Sequence, residues 1–252
     1  MTMTKDIHFE TVERKIYPRT FLNTVFVVWE YESSYEPDDL ILRIQRFLKD
    51  NFNLQIGLSE EDFSTGFSID SQRAGHSYYF TRGSIGVKYM GDNYVSFTET
   101  MMPLVYRLAA FVKSVLSIDT INKIQVRKVN ILNAKGRDGI LFDENQLIQE
   151  FLSQQLIANA QPISTEYLGL EKVKEYSGTT EGDGFDIHFG FQKGTSPEGV
   201  PFIGLVLDES VSRSQVELNT VDDALISINN MVYNIFHWSV NSNVIALMNQ
   251  QL

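Results

Sequence analysis

The sequence predicts an α+β fold in two similar halves, each running strand, helix, three strands, helix, with mainly antiparallel sheets packed by helices. Three observations lead there. Some segments repeat apolar residues at helical spacing, and others are short runs enriched in β-branched and aromatic residues. Closely spaced strands, one pair joined by a Gly-containing turn, form antiparallel meanders. The element order that opens at residue 21 opens again at residue 121, the mark of a repeated architecture. The halves are residues 1–119 and 120–252, as two domains or one compact unit.

In the first half, residues 21–31 (FLNTVFVVWEY) contain no Gly or Pro and suit a largely buried strand. Pro37, Asp38 and Asp39 open a helix whose Leu40, Ile41, Ile44, Phe47 and Leu48 share one face. Its carboxylates lie at the positive end of the helix dipole and Lys49 near the other. A short strand at 67–69 precedes a hairpin, 76–81 and 85–90, around Arg82-Gly83-Ser84. The second helix runs from Thr98 or Thr100 to Leu116, with Leu104, Leu108, Phe111 and Val115 on one face and Pro103 in its first turn.

The second half opens with a strand at 121–133 (INKIQVRKVNILN), in which Ile124 and Val126 alternate before Val129 and Ile131 continue in the opposite phase. Because side chains alternate with period two, the phase change predicts a bulge near Arg127 and Lys128. A helix at 143–157 carries Leu147, Ile148, Phe151, Leu152 and Leu156 as its apolar stripe. Strands follow at 170–176, 185–192 and 202–208, and the last helix spans 221–239. Thr220 with Asp223 three residues on reads as a capping-box analogue, and Leu225, Ile228, Val232, Ile235 and Phe236 form the buried stripe.

A hydrophobic content of 43% and a charged content of 21% over 252 residues are those of a chain with a sizeable core. With no cysteine, disulfides, thiolate nucleophiles and Cys-ligated metal centres are excluded, which suits a reducing compartment. Residues 1–10 contain Asp6 and lack an apolar run, so a signal peptide is not expected. The most apolar stretch, 101–118, carries Pro103, Arg107 and Lys113 and falls short of a bilayer span of about 20 residues. The net charge is −11 and the pI near 4.8, the wrong sign for a phosphate backbone. It favours a basic partner, or is simply a solvated surface.

Motifs of familiar chemistry are missing: there is no phosphate loop, dinucleotide fingerprint, paired helical histidines or nucleophile elbow. Of the four histidines, His188 is the one with a neighbour suited to chemistry. Phe185, Ile187, Phe189 and Phe191 occupy one face of their strand, which places Asp186, His188 and Gln192 on the other. Asp186 and His188 therefore project in parallel, a geometry usable for metal binding or general-base work, or merely the solvated side of an antiparallel sheet. Arg127 and Asn130 at the expected bulge can bind an anion or satisfy irregular backbone.

The segments VRKVNIL (126–132) and LVLD (205–208), with the closing helix around 228–236, resemble a large bacterial family of uncharacterised proteins of similar length. Its members carry "GLRYIN"-like and "LDLD"-like strands. Arg127 and Asn130 match the family's Arg and Asn, and Asp208 its late Asp, whereas Lys128 stands where the family has Tyr. The resemblance implies a shared fold and supplies no reaction. The ligand-binding candidates are thus Arg127, Asn130, Asp186, His188 and Asp208.

The functional expectation is a non-enzymatic bacterial cytoplasmic protein that binds a protein partner of basic character, in an immunity, antitoxin-like or defence role. The alternative is a small-molecule-binding or metal-dependent enzyme using the face around Asp186 and His188. No cofactor, nucleic acid or membrane partner is implied, and the oligomeric state is open.

Overall fold

A computed structural model of the protein describes residues 6–18, 20–55, 57–71, 75–90, 94–132, 142–164, 166–195 and 201–250. Asn133, the last residue of one predicted strand, and residues 1–5 lie outside them. The fold is α+β, with an antiparallel sheet of nine strands. The first series contains β1 (Leu22–Glu30), β2 (Phe67–Ser71), β3 (His76–Phe80) and β4 (Ser84–Met90). The second contains β5 (Thr120–Leu132), β6 (Gln161–Pro162), β7 (Glu171–Thr180), β8 (Asp183–Thr195) and β9 (Pro201–Glu217). Their order in the sheet is β2-β3-β4-β1-β5-β9-β8-β7-β6. In each series the opening strand thus neighbours the last strand of its own meander, β1 beside β4 and β5 beside β9.

The chain clusters into two compact units, Thr24–Val126 with Ser212–Asn229, and Met1–Asn23 with Arg127–Val211 and Asn230–Leu252. The boundary suggested by the sequence at 119/120 differs from this. β5, β9 and the helix α6 (Val221–Ser239) each contribute residues to both units.

In the unit built around Thr24–Val126, Val25, Val27 and Trp29 of β1 are buried together with Leu40, Ile44 and Leu48 of α1 (Pro37–Phe52). Phe111 ends α3 (Met102–Phe111) and collects aromatic contacts, with ring centroids 5.3 Å from Phe47 and 5.4 Å from Phe80. The predicted helix is present around α3, with π-helical turns at Phe97–Met101 and Val112–Leu116, and Ser96 caps it by accepting from Glu99 N at 3.1 Å. A short helix, α2 (Glu60–Thr65), not foreseen from the sequence, is closed by a Ser59–Asp62 capping box.

Within β3–β4 the ring of Tyr79 lies across its partner Gly86: a Cβ there would stand 2.1 Å from Tyr79 Cζ. Gly86→Val should expel the Tyr79 ring and cost about 1–3 kcal/mol, as overpacking does. Urea midpoints of the Gly86→Val and Gly86→Val/Tyr79→Ala variants check this, since removing the ring should return part of the loss.

In the other unit, β8 follows the predicted alternation. Phe185, Ile187, Phe189 and Phe191 are buried, while Asp186 and His188 are half-buried on the opposite face and Gln192 is exposed. β5 corrects the expectation. Val126, Asn130 and Leu132 are buried in one unbroken period-two series with half-buried Lys128 between them, so the phase does not switch at Arg127 and Lys128. Val129 and Ile131 are the half-buried residues of the other face. Hydrophobic periodicity assigns polar residues outward, but a buried partner brings Lys128 and Asn130 inward. A register shift is found in β7 instead, between Glu171 and Lys174, where Lys172 has φ of 52°.

The helix expected at 143–157 is two, α4 (Glu144–Phe151) and α5 (Gln154–Asn159). Leu152 between them is extended at φ −93°, ψ 149° and bridges Val240, while Ser153 N donates to Ser239 O at 2.8 Å. Ser153 then caps α5 by accepting from Leu156 N at 3.1 Å. At the start of α6, Thr220 belongs to a 3-10 turn, and its hydroxyl donates to Glu217 O at 3.1 Å in place of the capping box expected with Asp223. The chain also forms α7 (Ser242–Met248), which periodicity did not mark out. Among the described residues no helix is long and apolar enough to cross a membrane.

Candidate functional site

Residues alternate across a sheet, so one face of β5, β9 and β8 collects the side chains of Arg127, Asp208 and His188. Arg127 Nε and Nη2 donate to the two carboxylate oxygens of Asp208 at 2.8 and 2.5 Å, a bidentate charge-assisted pair. Asp208 is 2% exposed in its side chain and Arg127 23%. Tyr167, from the segment between β6 and β7, closes over them. Its hydroxyl donates to Asp208 Oδ2 at 2.8 Å, and its ring stacks on His188 with centroids 4.2 Å apart and planes at 14°. Burial, and secondarily the Asp208 carboxylate, push the Tyr167 phenol far above its ordinary range. It is a donor throughout the physiological range.

His188 Nε2 lies 3.2 Å from Glu175 Oε2, contributed by the facing residue of β7. Asp186, two residues along β8, acts electrostatically on Tyr167, so it belongs to the same cluster. Of the five sequence candidates, Arg127, Asp186, His188 and Asp208 come together on this face. Asn130 does not. It faces the opposite side, where its Nδ2 lies 3.5 Å from Glu209 Oε2. Tyr167 and Glu175 were not anticipated. The Leu168-Gly169 turn marks the former's segment as a loop, and only register reveals the latter.

Among the described residues no three His, Asp or Glu side chains stand close enough to hold a metal ion. Both oxygens of Asp208 are engaged, and His188 is covered on one ring face.

On the opposite side of β5 and β9 sits a second polar group. Glu209 is fully buried, with Oε1 lacking a hydrogen-bond partner, and Ser239 Oγ of α6 beside it lacks one too. Burial, helped by the Asp208 charge, pushes the Glu209 carboxyl up to about 8, against the pull of Lys128. Burial, helped by Arg14 and opposed by Glu209, lowers the Lys128 amine to about 7. The folded state therefore keeps a proton on Glu209 that the unfolded chain releases above its ordinary 4.5. That contribution to stability is present below the unfolded value and is lost as pH rises through 8. Glu209→Gln, which stays neutral, should match the wild type at pH 5 and exceed its Tm by several degrees at pH 8, at ~2–4 °C per kcal/mol. Thermal melts across that interval check it, and a gap independent of pH would contradict it.

No family model matches the chain, and comparison with curated proteins finds no match.

Proposed function

We propose that the protein is a non-enzymatic binding protein whose partner is a protein of basic character. The observation that carries this reading is the closure of the polar cluster. Arg127 and Tyr167 take both oxygens of Asp208, and Glu175 and the Tyr167 ring take His188. A general base must have a lone pair within reach of a substrate proton, whereas Asp208 is 2% exposed with both oxygens bonded, and the Tyr167 ring covers one face of His188. What the chain offers instead is an excess of 11 carboxylates over cations, which steers and holds a cationic surface.

A bacterial, cytoplasmic role of the immunity, antitoxin-like or defence kind accords with this reading. So does membership of the family that the strands at 126–132 and 205–208 resemble. The matched Arg127 and Asp208 stand 81 residues apart and bond to each other, as a motif serving one clamp would. Capture from the native host on immobilised protein should retain a stoichiometric partner that elutes as salt rises. The absence of such a partner across growth conditions overturns the proposal. The enzyme reading rests on the juxtaposition of Asp186 and His188. It requires His188→Gln to abolish small-molecule binding in a thermal-shift screen while leaving the melting temperature of the free protein unchanged.

A further inference from the structure

Residues 6–17 form no helix or named strand, yet they are fixed along the outer side of α6. At one end Ile7 N donates to Thr179 O of β7 at 2.8 Å, and Phe9, 4% exposed, enters an aromatic slot. Its ring meets Phe185 at 5.1 Å and Trp238 at 5.4 Å, both edge-on. In the middle, Val12 N donates to Asn234 Oδ1 at 3.1 Å and Lys15 N to Tyr233 Oη at 3.3 Å, while the Arg14 guanidinium lies 5.4 Å from the Tyr233 ring centroid. At the far end Tyr17 Oη lies 3.3 Å from His237 Nε2.

This is how a groove reads an extended peptide: helix side chains bond its backbone, and aromatic slots hold its side chains. Most of the contacts come from one turn and a half of α6, so the segment can leave without dismantling the sheet beneath it. We propose that the outer side of α6 is a peptide-recognition groove, held in this structure by the chain's own residues 6–17. The partner segment that displaces them is extended, with two aromatic side chains eight residues apart and a cation between. The partner's protein nature rests on the reading given under Proposed function. Its chemistry comes from the occupant, in which Phe9 and Tyr17 bracket Glu10, Glu13, Arg14 and Lys15, with Arg14 lying against the Tyr233 ring.

A tethered occupant competes at high effective concentration, so the groove is available only in the fraction of molecules whose segment is released. The probe is a fluorescent peptide of sequence DIHFETVERKIY, residues 6–17, titrated into the full-length chain and followed by anisotropy. Phe9→Ala in the chain removes the aromatic side chain from its slot and should tighten binding of the intact peptide at least ~10-fold over wild type. Tyr17→Ala in the chain should act in the same direction from the other end, and serves if Phe9→Ala does not fold. Asn234→Ala added to either variant should weaken binding, as should the Phe9→Ala change within the peptide.

Equal affinity for wild type and the released variants, or no binding to any of them, overturns the groove. The two proposals fail separately. A native partner captured equally by wild type and by an Asn234→Ala chain removes the groove and leaves the binding function. Peptide binding without any captured partner does the reverse.

Discussion

Ile228→Asp should prevent folding or lower stability by several kcal/mol, the largest loss expected from a single substitution in this chain. Ile228 is 0% exposed on the same stripe of α6 as Leu225 and Val232, which are also fully buried. A carboxylate there would replace an apolar side chain of that buried stripe. It must either carry an unpaired charge into an apolar core or take up a proton, and both routes are costly. Asp222→Asn, six residues earlier and exposed, removes only a charge that complements the helix dipole and should cost below about 1 kcal/mol. Denaturant melts of the two variants check the ranking. The reverse order would mean that α6 presents a different face to the core.

Arg127→Ala should be the second largest loss, about 3–5 kcal/mol, because it leaves a buried carboxylate without its cation. Asp208 is 2% exposed and would retain only the Tyr167 hydroxyl among the bonds described above. Arg127→Met combined with Asp208→Leu removes both charges and should recover most of the stability, since desolvation offsets much of what a buried pair gains. Urea midpoints of the single and double variants measure the coupling. An additive result would show that Arg127 and Asp208 act independently, contrary to the bidentate geometry.

Tyr167→Phe separates clamping from covering. It keeps the ring on His188 and removes the hydroxyl from Asp208. A cost of ~1.5–3 kcal/mol is expected for a hydrogen bond to a charged group.

Much of the fold is legible in the residues themselves. The stripe of α6, the buried face of α1 and the alternation of β8 all follow from spacing, because apolar side chains must share a face to leave water together. The same rule placed Asp186 and His188 side by side. It failed at β5, where Lys128 and Asn130 point inward to Glu209. It failed again at Leu152, where a hydrogen bond from Ser153 to the end of α6 splits one apolar stripe between two helices.

Which residues turn towards a core can be read from the residues alone, since that depends on local period and on the cost of wetting apolar surface. Which polar groups meet emerged only on folding: Arg127 with Asp208, Tyr167 with His188, and residues 6–17 with α6. Those pairings depend on register between segments distant in sequence. A polar side chain carries no local mark of its partner, so the cost of burying it is settled only when a particular donor and acceptor are brought within about 3 Å.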